Sequence, residues 1–290
     1  MDAPPPPAKL IDVGGRRLHL NCTGTGSPTV IVENGSGAFS IEWALVQPAI
    51  SKIARVCTYD RAGYAWSDPG PIRDLPEQIV ADFQLLLRLG ETRPPYVLVG
   101  QSIGGILVRD YQRRWPEQVA GMVLVDPTHD EGLAYVIDRK PKTISLMTRE
   151  ELQQFMRELL ARPVAPPRLP EKISAPFDRL PESLQSVRLW AEAGYTADRD
   201  PNRTPYIGEG QRQEFIGLRM QRLSQAHPLG TLPLVVLTNG SNPQKAELAA
   251  LSEVGRVVVA EKSCHEIHVC TPGLVVEAIR DVINAARQRR

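Results

Sequence analysis

Ser102 is the residue most readily given a chemical role. It lies in Tyr96-Val97-Leu98-Val99-Gly100-Gln101-Ser102-Ile103-Gly104-Gly105, where an apolar run passes one serine and continues into the helical pattern Ile106 to Tyr111. Gly100-x-Ser102-x-Gly104 is the pattern of a tight turn from strand into helix that exposes a serine hydroxyl for attack. Glycines are expected on both sides because a Cβ there would collide with the neighbouring strand or helix. A serine hydroxyl is a weak nucleophile near neutral pH and needs a base. Histidine suits that task because its free pKa lies in the working range.

The chain has five histidines. His19 falls in an early hairpin and reads as structural. His129 and His227 flank a long middle segment. His265 and His268 follow the last strand, from where a side chain can return over the serine turn. His265 is the expected base and His268 the alternative. A carboxylate must then fix the imidazole tautomer and stabilise the imidazolium. Its usual place is the loop after Leu234–Leu237, but Thr238-Asn239-Gly240-Ser241-Asn242-Pro243-Gln244 holds no acid. Asp126, ending the preceding strand, is the choice. Asp130, Glu247 and a base without a carboxylate stay as alternatives. As a strand-end acid, Asp126 also has a plain structural reading, that of capping nearby backbone donors. The oxyanion of acyl transfer needs preorganised N–H donors. The backbone of Ile103 and of Ser36 are the expected pair, with Gly37 adjacent to the second. Acyl transfer of this kind calls for no cofactor. Cys-x5-Cys around His265 and His268 is too widely spaced for the closer cysteine pair usual at zinc, so no metal is assigned.

The elements that carry these residues read as alternating strands and helices. A glycine-turned hairpin spans Leu10 to Leu20, and Thr29–Val32 is a β-branched buried strand. Ile41 to Ile50 reads as a helix interrupted near Pro48. Val56–Tyr59 is a strand, and Ile79 to Leu89 carries apolar residues at helical spacing. The serine strand and its helix follow, then the strand Val119–Val125. From about residue 131 to 230 prolines are frequent, strands are absent, and helical pieces at Arg149–Ala161 and Gln211–Gln225 alternate with loops. Strand, helix, strand and closing helix resume at Leu234–Leu237, Lys245–Leu251, Val257–Val259 and Leu274–Arg287. The pattern implies an α/β fold with a mostly parallel, eight-stranded-type sheet, helices on both faces, and ligands at the carboxyl ends of the strands. The expected domains are a proline-rich extension (1–9), a catalytic domain (10–130 and 231–290) and a helical cap inserted after the sixth strand (131–230). Leu146, Met147, Phe155, Met156, Trp190 and Met220 are candidate lining of an acyl pocket in that cap, or simply its core.

A net charge of +1 gives no reason to expect a nucleic-acid partner. No apolar run approaches the ~18 residues of a membrane span. The polar, proline-rich start is unlike a signal peptide and reads as a linker, or as what a trimmed leader leaves. Four cysteines allow two pairs, which would mean an oxidising compartment, or four reduced thiols in the cytosol.

Taken together, these features resemble the α/β-hydrolase superfamily over roughly residues 10–130 and 231–287. Asp60-Arg61-Ala62-Gly63-Tyr64-Ala65-Trp66-Ser67 looks like the Asp-Arg-x-Gly-x-Gly-x-Ser segment of small bacterial esterases and lactonase-like hydrolases. Gly100-Gln101-Ser102-Ile103-Gly104-Gly105 looks like their Gly-His-Ser-x-Gly-Gly. Gln101 stands for the common histidine, Ala65 for a glycine, and Asn34-Gly35 for the usual His-Gly. The resemblance implies exchanged third and fourth strands, and with them a plausible Cys22–Cys57 bond. It implies a serine hydrolase acting on small-molecule carboxylic esters. An amidase, peptidase or lactonase on the same triad is the alternative, and a non-catalytic binding protein of the same fold is the rival from another class.

Overall fold

A computed structural model describes residues 4–70, 76–129, 134–137, 140–143, 150–151, 154, 172–197 and 228–289. The early hairpin is β1 (Lys9–Asp12) and β2 (Arg17–Thr23). Then come β3 (Thr29–Glu33), a 3-10 turn (Ser40–Trp43), α1 (Gln47–Ile50), β4 (Val56–Tyr59) and α2 (Pro76–Leu89). The serine turn joins β5 (Tyr96–Gln101) to α3 (Gly104–Arg114), followed by β6 (Val119–Val125). Two short strands, β7 (Ala134–Ile137) and β8 (Lys140–Thr143), and helix α4 (Glu182–Ala197) lie in the middle segment. The chain closes with β9 (Leu234–Thr238), α5 (Pro243–Ala249), β10 (Arg256–Val259), α6 (Ile267–Cys270) and α7 (Pro272–Gln288).

Eight strands form one sheet in the order β1-β2-β4-β3-β5-β6-β9-β10. β2 pairs antiparallel with both β1 and β4, and every other pairing is parallel. The strand pleat sends alternate residues to opposite faces. On β5, Leu98 joins Phe83, Leu86 and Tyr111 beneath α2 and α3. Its neighbours Val97 and Val99 join Ile279, Val282 and Ile283 of α7 on the other face. A sheet covered on both faces reads as continuous apolar runs, as the sequence of β5, β6 and β9 does.

The third and fourth strands are exchanged, and Cys22 and Cys57 come directly opposite each other on β2 and β4. They form a disulfide, and so do Cys264 and Cys270. The expectation of no strand between 131 and 230 is corrected by the antiparallel pair β7–β8. β8 reads Lys-Pro-Lys-Thr, and proline with two lysines carries no strand signature; such a strand is tolerated where it has an unpaired edge. The expected helices at Arg149–Ala161 and Gln211–Gln225 fall largely outside the described residues.

Candidate active site

The serine turn is held by close packing. A Cβ on Gly100 would come within 2.6 Å of the Gly104 carbonyl oxygen, and one on Gly104 within 2.5 Å of that of Glu33. Both neighbours are backbone and cannot step aside, so glycine is required at each. Ser102 itself sits at φ +52°, the left-handed region that non-glycine residues rarely occupy. Its N–H donates to Val125 O at 3.1 Å, and its carbonyl accepts from Thr128 N at 2.9 Å. These bonds lock the turn against the end of β6.

Asp126 follows β6, also with positive φ (+39°), its N–H donating to Leu237 O of β9 at 2.8 Å. Its carboxylate Oδ2 lies 2.6 Å from Nδ1 of His265, across 139 residues of sequence. The two residues the sequence paired are thus brought together. His265 is 47% exposed, whereas Asp126 is 8% exposed. The hydrogen bond to Asp126 raises the His265 pKa, burial opposes this, and the charges of Asp126 and Glu266 add to the rise. Burial alone would raise Asp126, but the bond to His265 and the nearby Lys245 ammonium outweigh it and hold the carboxyl below its usual value.

Ser102 Oγ lies 3.4 Å from Thr128 Oγ1. Among the described residues this is its hydrogen-bond partner, and no bond joins it to His265. Catalytic hydrogen bonds are often long before substrate binds.

The other candidates sort by position. His268 is fully buried and stacks on Trp43 at 4.4 Å between ring centroids, away from solvent. His19 is buried too, its Nδ1 2.8 Å from Asp60 Oδ2. Glu247 stands 3.3 Å from His129 and is 64% exposed. Asp130, His227, Leu146, Met147, Phe155, Met156 and Met220 lie outside the described residues. Trp190 packs 5.7 Å from Trp66 in a cluster with Phe39, Ile41, Tyr64 and Ala191.

The N–H groups of Ser36 and Ile103 find no acceptor among the described residues. A buried N–H without a partner is uncommon, and Ile103 is fully buried. The loop bearing Ser36 is anchored from below. Arg61 donates to Glu33 Oε1 (2.7 Å), Asn34 O (2.7 Å) and Gly35 O (2.6 Å). Asn34 Oδ1 accepts from Trp43 Nε1 at 2.9 Å, and its Nδ2 donates to Tyr59 O at 2.8 Å. Tyr59 OH donates to Glu33 Oε2, and burial pushes the Tyr59 phenol well up. A side chain on Gly35 would strike Gln101 and Ser102. The loop therefore lies directly against the serine turn. Sequence reasoning missed the anchoring role of Arg61, whose signal was its place in the Asp60–Ser67 segment directly after β4. It also missed Thr128, which carries none, and Lys245, which follows the loop searched for an acid. Lys245 Nζ lies 3.2 Å from Asp126 Oδ1 and donates to Pro127 O.

The model of the alpha/beta hydrolase family matches residues 30–254. The YqjL protein of Bacillus subtilis is 24% identical over 97% of this chain and 94% of its own length. A probable transporter, efuK of Hormonema carpetanum, is 32% identical over 48% of this chain, but the match spans 21% of that protein. Among solved structures, a Thermogutta terrifontis esterase superposes with a TM-score of 0.63 at 20% identity, covering 93% of this chain and 94% of that one. A Burkholderia xenovorans enol-lactonase gives 0.66 at 18% identity, covering 94% and 98%. The epoxide hydrolase CorEH gives 0.66 at 17%, covering 95% and 97%.

Proposed function

We propose that this chain, which belongs to the alpha/beta hydrolase family, is a serine hydrolase that cleaves carboxylic esters of small molecules. Ser102 attacks the ester carbonyl while His265 Nε2 takes its proton. Asp126 holds the opposite ring nitrogen, fixing the tautomer and stabilising the imidazolium. The N–H groups of Ser36 and Ile103 bind the tetrahedral oxyanion. Collapse of that intermediate expels the alcohol, which receives the proton from His265. Water deprotonated by His265 then releases the acid from the Ser102 acyl-enzyme.

The observation that carries this reading is the 2.6 Å contact between His265 Nδ1 and Asp126 Oδ2, made beside a serine in left-handed backbone. The N–H groups of Ser36 and Ile103, which find no acceptor among the described residues, support it. Glu247, the rival acid, is engaged with His129 instead. Epoxide opening in this fold uses an aspartate at the position of Ser102, so the likeness to an epoxide hydrolase extends to the fold and not to that reaction. Lactone opening uses the same acyl chemistry as ester cleavage, and the enol-lactonase among the structural neighbours keeps it as the second reading. Residues 131–230 are read as a cap over the site, with α4 packing its Ala191 and Trp190 onto the Phe39–Tyr64 cluster. Two disulfides favour an oxidising compartment over the cytosol. The test is turnover of p-nitrophenyl esters of increasing chain length, with Ser102→Ala alongside. Turnover that survives that substitution rejects Ser102 as the nucleophile.

A further inference from the structure

The loop after β9 is where an acid was expected, and the helix that follows it carries a lysine in its first turn instead. Lys245 belongs to the first turn of α5, its N–H donating to Asn242 O at 3.0 Å. A cation at a helix N-terminus is on the unfavourable side of the backbone dipoles. The side chain is also largely withdrawn from water, at 11% exposed. A lysine usually avoids both costs by extending its flexible stem into solvent. Here it turns inward, with Nζ bridging Asp126 Oδ1 and the Pro127 carbonyl. Asp126 is thereby gripped on both oxygens, Oδ1 by Lys245 and Oδ2 by His265. Without the lysine, the carboxylate could rotate about its Cβ–Cγ bond and leave the imidazole.

We infer that Lys245 is a positioning residue for the hydrolytic site, clamping the Asp126 carboxylate toward His265 and supplying a positive charge that keeps the imidazole available as a base. The inference rests on the triad reading above. The charged groups acting on His265 are Asp126 from the end of β6, Lys245 from α5 and Glu266 from its own loop. Glu247, also on α5, pairs with His129 at 3.3 Å. Asp126 and Glu266 favour imidazolium, and Lys245 is the one cation among these groups that opposes it. Removing its charge therefore moves the imidazole titration to higher pH. Removing its hydrogen bond also frees the carboxylate, and a misplaced base costs rate rather than binding.

The experiment compares the full chain with Lys245→Met, Lys245→Gln and Lys245→Arg. The His265 imidazole titration is followed by 15N NMR, and the pH profile of p-nitrophenyl butyrate hydrolysis is measured in parallel. Lys245→Met loses charge and hydrogen bond together, and is expected to lose about tenfold in kcat near neutrality, with KM little changed. Lys245→Gln keeps a donor without the charge, so it should show the titration shift with the smaller rate loss. It also serves should the Met variant fail to fold. Lys245→Arg should restore the unsubstituted titration. A His265 titration in Lys245→Gln, or a kcat in Lys245→Met, that coincides with the unsubstituted chain overturns the inference. Because NMR reads the imidazole whether or not esters are turned over, this failure is distinct from failure of the ester reading, which Ser102→Ala reports.

Discussion

The two disulfides lie in different relations to the site, and removing each should separate stability from activity. Cys22–Cys57 staples β2 to β4 across a separation of 35 residues, and Cys264–Cys270 brackets His265 across a separation of 6. On the chain-entropy account, closing loops of these lengths constrains the unfolded chain by about 4 and about 2 kcal/mol, respectively, at 25 °C. For a chain of 290 residues, an unfolding entropy of about 0.6 kcal/mol/K converts these into losses of about 6 °C and about 4 °C in Tm. Activity should follow the reverse order. The Cys264–Cys270 link closes the short loop from which His265 reaches Asp126, and α6 begins only two residues later. Freeing that loop lets the imidazole drift, and displacement on the 1 Å scale costs up to about a hundredfold in rate. The assay is a thermal melt and p-nitrophenyl butyrate turnover for two double variants, Cys22→Ser with Cys57→Ser and Cys264→Ser with Cys270→Ser. The expected result is the larger Tm loss in the first and the larger kcat loss in the second. If kcat in the second variant equals that of the unsubstituted chain, the bond does not hold the histidine and the reasoning is refuted.

Other outcomes follow from the same geometry. As the proposed base, His265 acts only when neutral, and its raised pKa moves that form to higher pH; the acid limb of kcat/KM should therefore lie above the ordinary histidine range. Asp126→Asn should lower kcat by about 10⁴ and bring that limb down, whereas Glu247→Gln leaves both unchanged; the opposite pattern makes Glu247 the acid. Because Asp126 is held below its usual value in the fold, its contribution to stability is present above the unfolded carboxylate pKa and lost as pH falls through the folded one. A urea-midpoint series against pH should show that loss for the unsubstituted chain and not for Asp126→Asn. Arg61→Leu removes the cation paired with the buried Glu33 carboxylate and leaves it the Tyr59 hydroxyl, and breaking such a pair costs about 3–5 kcal/mol. Denaturant midpoints should show it, and Arg61→Lys should recover only part, since one ammonium cannot reach Glu33, Asn34 O and Gly35 O from one plane.

The sheet was legible because its central strands are buried on both faces. Val119–Val125 has no polar residue, so burial and sequence pattern state the same thing. Gly100 and Gly104 were legible for a related reason: backbone packed that closely leaves only one residue type. The β7–β8 pair was not legible, because Lys140–Thr143 takes strand form through pairing rather than composition. Choosing His265 over His268 came from chain order. The structure adds a physical reason, since His268 is sealed beneath Trp43. Lys245 and Arg61 escaped because their partners are backbone carbonyls and carboxylates far away in sequence, and no periodicity records such contacts. Ala65 shows a motif departure with a visible cost. It occupies φ +41°, where the related pattern has glycine, so the turn keeps its shape against the preference of the side chain.

The most direct measurement is covalent capture of the nucleophile. The intact chain is treated with an aryl fluorophosphonate, its mass is determined, and the modified peptide is sequenced. The account predicts one adduct, carried by Ser102, whose formation slows sharply in His265→Ala and is absent in Ser102→Ala. Ester turnover without labelling, or an adduct on another residue with Ser102 unmodified, would contradict it.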